Sequence, residues 1–268
     1  MEKEIDLDNG FRVKINEQNQ TASVIASKQV TGKVFIPRYV KDNGKKYIIS
    51  SIGFKAFENS KFDLLAFPED SEIELFDESA FYNANFTKLQ IPPKLKKINN
   101  SCFELIKNLV DIEVSPKNEH FSYIENQYLV GKSKEDSDVF DVLYYTRYDI
   151  QDAVIPIQIE IIKEYSFFYY TKLKSITFPK NSKLKQIERC AFNKSTLSKL
   201  VLPESLEEIK YQAFYSTEYL NEIEISPKNQ KLSIVNKTFL VRKSDQSSKM
   251  FDFLIFCRRD VEYVEIPS

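Results

Sequence analysis

The sequence predicts a repeat solenoid, rich in β-structure, with one parallel strand per coil and short helical turns between strands. Three regularities carry that expectation. Nine of the ten prolines form one series, at positions 37, 68, 92, 116, 156, 179, 203, 227 and 267, and five of its spacings are 23 or 24 residues. A small residue followed by phenylalanine keeps step with the series, at Ala56-Phe57, Ala80-Phe81, Cys102-Phe103, Ser166-Phe167, Ala191-Phe192 and Ala213-Phe214. Finally, the stretch "SPKNEHFSYIENQYLVGK" that begins at Ser115 returns 111 residues later as "SPKNQKLSIVNKTFLVRK" from Ser226.

Taken in order, the chain opens with "IDLDNGFRVKI", an Asn-Gly turn between two alternating runs. That is a β-hairpin signature, and residues 1–30 are expected to cap the first coil. Residues 31–268 are expected to form the solenoid. Each plain coil reads as apolar-x-apolar-Pro, then "LxxI", then small-Phe and a turn back, as in "IPPKLKKINNSCFELIKNLVDIEV". Proline cannot donate to a ladder, so it ends each strand. The first coil is longer because it contains "KDNGKKY". A coil of this size cannot bury its own apolar residues. Stacking lets Ile112, Val114, Leu200, Leu202, Ile223 and Ile225 make a continuous core, with each Phe filling the opposite side.

Two coils, 116–156 and 227–267, carry insertions of the same length. In each, alternating runs flank a charged turn: "YIENQYLV" and "VFDVLYY" around "GKSKEDSD", then "IVNKTFLV" and "MFDFLIF" around "RKSDQSSK". Both read as inserted β-hairpins. Their match without a gap makes the chain a higher-order duplication. It stops one residue past Pro267, at a strand end that a solenoid normally covers, so the C-terminus reads as truncated or as paired with something else.

The unit "I-x-I-P … L-x-x-I … A-F … L" resembles the BspA-like leucine-rich repeat family, known from the surfaces of bacteria and parasitic protists. The resemblance runs from about Lys33 to Pro267. It implies a leucine-rich-repeat superhelix and a role as a surface antigen acting in cell adhesion.

Composition narrows the function classes. Hydrophobic residues at 42% and charged residues at 29% fit a folded chain rather than a disordered one. Lys and Arg total 38 against 39 for Asp and Glu, so no field of one sign draws in nucleic acid. No apolar run reaches the roughly 18–20 residues of a membrane span. The charged start, "MEKEIDLDNGFRVKI", lacks the apolar region of a secretory signal. Localisation is therefore open: the resemblance implies the cell surface, and the start of the chain fits the cytoplasm. Cys102, Cys190 and Cys257 lack metal-like spacing and read as buried thiols.

Chemistry-bearing motifs are scarce. His120 is the single histidine and Lys231 replaces it in the second hairpin coil, so zinc and Ser-His-acid sites are not expected. Five glycines are too few for a phosphate loop. "DLDNG" at Asp6–Gly10 lacks the later acidic ligands of a calcium loop, and "SKLK" at Ser182–Lys185 sits within an ordinary coil. No cofactor is expected. Asn19, Asn85, Asn99, Asn193 and Asn236 head Asn-x-Ser/Thr triplets that could accept glycans on a secretory route. Arg147 with Asp149, and Arg258 with Asp260, are expected to form structural ion pairs.

What remains is a face. Alternation turns Lys88, Gln90, Asp111, Glu113, Ser175, Thr177, Lys199, Val201, Glu222 and Glu224 outward, aligned from coil to coil. The pairs Asp111/Glu113 and Glu222/Glu224 are solvated neighbours on one strand, not a catalytic dyad. The expectation is a non-enzymatic leucine-rich-repeat binding module for a protein or glycan ligand, with host or matrix adhesion implied by the resemblance. The alternative is an intracellular structural or scaffolding repeat protein.

Overall fold

The computed structural model describes residues 2–27, 30–243, 250–258 and 260–261. It divides into two compact units, Met1–Phe140 with Tyr144–Asp149, and Asp141–Leu143 with Ile150–Ser268.

The first unit begins with an antiparallel meander. Glu2–Asp6 pairs with Phe11–Asn16 around Gly10, whose φ of 86° requires the freedom of glycine, and Phe11–Asn16 then pairs with Thr21–Ser27. From there the sheet turns parallel: Lys45–Ile52, Leu75–Phe76 and Lys97–Ile98 add in succession to Thr21–Ser27. The inserted "KDNGKKY" forms a hairpin of Tyr39–Asp42 and Lys45–Ile52, turning through left-handed Asn43 and Gly44. A second, wholly parallel sheet holds Lys33–Phe35, Leu64–Ala66, Lys88–Ile91 and Asp111–Val114. Its register places Val34, Leu65, Leu89 and Ile112 in one line, all buried. That queue of apolar side chains is the stacked core expected from the repeat.

The second unit repeats the plan. Asp152–Val154 pairs in parallel with Ser175–Thr177, and Lys199–Leu202 with Glu222–Ile225, setting Leu200 opposite Ile223. Val142 and Leu143, Ile161–Ile162, Gln186–Ile187 and Glu208–Ile209 form the other parallel ladder. The "LxxI" segments are therefore strands of two residues. Leu184 and Ile187 are fully buried at the two ends of one.

The third side of each coil corrects an expectation. Instead of short helical turns, no helix occurs among the described residues. Two left-handed residues bracket every small-Phe pair: Lys55 and Asn59, Ser79 and Asn83, Ser101 and Leu105, Tyr165 and Tyr169, Cys190 and Lys194, Gln212 and Ser216. One such residue every four interrupts the i→i−4 pattern that a helix needs. The freed N–H groups alternate in direction. Glu58 N donates to Lys55 O (3.0 Å) and Ser60 N to Phe57 O (3.1 Å) within the coil. Phe57 N donates to Ala80 O (2.8 Å) and Asn59 N to Tyr82 O (3.0 Å) across to the next coil. This wall is thus a ladder of turns. Behind it the phenylalanines stack, with Phe81 and Phe103 centroids 5.9 Å apart, and Phe167–Phe192 and Phe192–Phe214 at 5.0 and 5.5 Å. The preceding Ala, Cys or Ser is buried at each step.

The inserted segments need a second correction. "YIENQYLV" is not one run but two strands, Phe121–Ile124 and Tyr128–Gly131, joined by a tight turn at Glu125 and Asn126 with φ of 54° and 53°. Asn236 and Lys237 make the same turn between Leu232–Val235 and Phe239–Arg242, and Phe253–Cys257 adds a third antiparallel strand there. The expected strand ending at Pro267, and residues 244–249 of the charged turn "RKSDQSSK", lie outside the described residues.

Candidate binding face

The outward row is built by the period of two along each strand. In the first unit, Lys88 stands opposite Asp111 and Gln90 opposite Glu113. Lys88 Nζ lies 2.8 Å from Asp111 Oδ2, and that bond, with the charge attraction behind it, raises the lysine pKa. Gln90 works in two directions. Its Oε1 accepts from Phe67 N (3.2 Å) and its Nε2 donates to Glu113 Oε2 (3.1 Å). Just beyond the strand ends, Phe67, Gln90, Ile91, Pro92, Pro93 and Glu113 line a shallow groove of about 250 Å³. Glu69 and Lys117 form an exposed ion pair of 3.8 Å at its rim.

In the second unit, Lys199 faces Glu222 and Val201 faces Glu224. Lys199 Nζ reaches both carboxylates, at 2.6 Å from Glu222 Oε1 and 2.9 Å from Glu224 Oε1. These bonds raise the lysine pKa, and the bond from Lys199 is the first cause holding Glu222 below the usual carboxylate range. Ser175 Oγ donates to Asp152 Oδ1 (2.6 Å), which adds Asp152 to the row. Thr177 is exposed, and Val201 is an exposed apolar residue among the charges. The expected alignment is seen for Lys88 with Asp111, Gln90 with Glu113, Lys199 with Glu222 and Val201 with Glu224. Ser175 and Thr177 pair instead with Asp152 and Val154. Sequence reasoning missed the coil-to-coil bonds, since side-chain reach is not visible in a pattern of alternation.

Other candidates resolve into structural roles. Arg147 Nε donates to Asp149 Oδ1 (2.6 Å) and its Nη1 to Asn126 O (3.1 Å). Arg258 repeats this with Asp260 and Lys237 O, so each arginine clasps the tight turn of its own hairpin coil. The recurrent "SPKN" owes its asparagine to another clasp, which sequence reasoning missed. Asn118 Nδ2 donates to Pro92 O and Leu95 O (2.8 and 3.0 Å), while its Oδ1 accepts from His120 N and Phe121 N. Asn229 does the same to Leu206 O (2.7 Å), Lys231 N and Leu232 N. Asp6 bonds Arg12 beside the hairpin turn, which leaves "DLDNG" a turn. Among the described residues, no three His, Cys, Asp or Glu side chains gather as metal ligands would. Cys102, Cys190 and Cys257 are free, and burial pushes the Cys102 thiol well up. Asn19, Asn85 and Asn236 are exposed, Asn99 is half-buried, and Asn193 and Ser195 of the fourth triplet are buried.

A family model described as BspA type leucine rich repeat region matches in six copies over residues 45–133 and 138–242. Among solved structures, the chain is similar to a leucine rich cell surface protein from Faecalibacterium prausnitzii, with a TM-score of 0.55 and 19% identity over 100% of this chain and 65% of that one. A leucine-rich repeat protein from Eubacterium ventriosum aligns with a TM-score of 0.49 at 15% identity, over 85% of this chain and 73% of that one. The pneumococcal vaccine antigen PcpA aligns at 0.47 and 16%, over 86% and 83%. Comparison with curated proteins finds no match. This chain spans 65% of the length of the Faecalibacterium protein, and at such identities the likeness is one of fold.

Proposed function

The chain belongs to the BspA-type leucine-rich repeat family, and from that premise we propose that it is a non-enzymatic binding module whose protein or glycan ligand docks on the outward row of its parallel strands. The observation that carries this reading is the register. Parallel pairing sets Lys88 beside Asp111 and Gln90 beside Glu113 in the first unit, and Lys199 beside Glu222 in the second, as continuous polar stripes on rigid strands. Docking in the first unit centres on the groove beside Gln90. Lys88 and Asp111 neutralise each other, whereas Glu113 meets only the neutral Gln90 amide at hydrogen-bond distance among the described residues. A carboxylate without a contact ion pair, beside Phe67 and two prolines, offers both charge and apolar contact to an incoming chain. A cell-surface location is suggested by the Faecalibacterium protein, whose name places that protein there, and adhesion is the role proposed at that location.

The test is a triple charge reversal at Lys88, Glu113 and Glu222, measured by surface plasmon resonance against immobilised extracellular-matrix proteins and glycans. Affinity for each ligand of the native chain falls roughly tenfold or more if the row carries the site. Unchanged binding removes this face. A second reading, an intracellular scaffold, draws on the unpaired, buried thiols of Cys102 and Cys190, which suit a reducing compartment. Native protein that carries glycans, or that protease cuts on intact cells, eliminates it.

A further inference from the structure

The second unit carries a local charge that the balance of the whole chain conceals. Between Tyr165 and Ser198 stand six lysines and one arginine against a single acid, Glu188. Lys185 and Arg189 are engaged by Glu160 and Glu164, whereas Lys172 and Lys174 are in no ion pair among the described residues. Leu173 between them is fully buried, which leaves both lysines outside. With Gln151, Thr171, Ser198 and Tyr219 they line a groove of about 610 Å³. It lies where the turn wall passes into the parallel strands, just ahead of Asp152–Val154, Ser175–Thr177 and Lys199–Leu202.

The duplication shows that folding does not require this chemistry. At the offset of 111, Asp63, Thr87 and Asn108 hold the places of Lys174, Ser198 and Tyr219. The backbone is shared: Thr87 O accepts from Val110 N and Asp111 N (3.1 and 3.2 Å), as Ser198 O accepts from Asn221 N and Glu222 N (3.1 and 3.3 Å). The side chains are not. Lys61 matches Lys172, but Asp63 makes the first corner neutral. Asn108 Nδ2 there donates to Asn85 Oδ1 (2.8 Å), where the second unit has a tyrosine that is 58% exposed.

We propose that this groove binds a sulfated glycan chain, at a site separate from the outward row. Each lysine brings a compact charge on a flexible stem, suited to a sulfate group. The Tyr219 ring offers an apolar face to a sugar ring, and the hydroxyls of Thr171 and Ser198 and the Gln151 amide suit a ligand rich in hydroxyls. The groove's size falls within the roughly 300–1,000 Å³ of small-ligand sites. An acidic peptide would match the charge, but the main chain it would pair with is closed. Lys174 N and Ser175 N donate to Gln151 O (2.7 and 3.2 Å), and Thr196 N to Tyr170 O (3.1 Å). A single-stranded nucleic acid stacks successive bases on successive rings, and among the described residues the groove holds one ring.

The probe is a heparin hexasaccharide, titrated by calorimetry into the full chain at two salt concentrations. Binding is expected to weaken as salt rises, and to weaken roughly tenfold or more in Lys172→Gln/Lys174→Gln. Tyr219→Ala should lower affinity roughly fivefold with the same salt dependence, as a contact without charge does. Lys180→Gln/Lys183→Gln removes equal charge from outside the groove and should leave affinity within about twofold. All five side chains are exposed, and thermal unfolding checks that each variant is folded. Absence of binding to the hexasaccharide overturns the proposal, as does an equal loss in both lysine pairs, which would leave net charge as the cause. So does equal affinity for the desulfated hexasaccharide, or tighter binding of polyglutamate or oligothymidylate that Lys172→Gln/Lys174→Gln abolishes. Lys88, Glu113 and Glu222 are intact in every variant here, so failure of this site and failure of the outward row are read separately.

Discussion

The two hairpin coils solve one packing problem in two ways. In the first, Gly131 lies under Tyr144 and Phe121, so close that a Cβ there would sit 2.7 and 2.8 Å from their ring carbons. In the second, the corresponding residues are Arg242, Ile255 and Leu232. Both rings have become aliphatic and the glycine has become an arginine, whose guanidinium lies over Phe253. Three positions have changed together while Asn118 and Asn229, and Arg147 and Arg258, keep the same contacts. The backbone clasps are the invariant part of this coil. The filling above them is exchangeable as a set, since a close-packed interior accepts a volume change only where a neighbour compensates.

The comparison breaks most severely in the phenylalanine stack. Phe214→Ala leaves a cavity between Phe192 and Phe256, and Phe103→Ala leaves one between Phe81 and Tyr145. Each should cost about 3–5 kcal/mol in chemical denaturation, and the two should agree. A clear inequality means the copies do not bear load alike. Gly131→Arg comes next, at about 1–3 kcal/mol from overpacking. Adding Phe121→Leu and Tyr144→Ile should restore at least half of that loss, and a triple variant less stable than Gly131→Arg alone ends the account of compensating volumes. Smallest is Tyr145→Phe. It makes the first copy resemble the second, which has Phe256, and removes a 2.7 Å bond from the buried hydroxyl to Leu109 O. Thermal unfolding should register about 1 kcal/mol.

Much of this architecture was legible because its signals are coarse. Proline spacing marked the ends of strands such as Lys88–Ile91 and Lys199–Leu202, and small-Phe marked the buried ring stack. The turn wall was not legible. Left-handed Lys55, Leu105, Tyr165 and Cys190 are residue types that carry no turn signal, and stacking imposes their conformation. The two-residue strands such as Gln186–Ile187 were hidden for a related reason, since a period of two cannot show itself in two residues. The break at Glu125-Asn126 escaped notice because its turn contains no glycine. For the candidate face, alternation identified which side chains point outward. It could not say that Lys199 bridges two glutamates or that Gln90 ties Phe67 to Glu113, because those distances depend on how adjacent coils sit.

The alternating direction of N–H groups along the turn wall sets the step size in which such a chain can change. Every second amide there, such as Phe57 N or Phe81 N, finds its acceptor one coil away, at Ala80 O or Cys102 O. Loss of a single residue swaps the inward and sideways amides for the rest of that wall and strands both sets. Loss or gain of a whole winding merely hands each amide an equivalent carbonyl. Lineages of this protein are thus free to lengthen or shorten by entire windings, and the gapless offset between its two hairpin coils is the kind of record such steps leave.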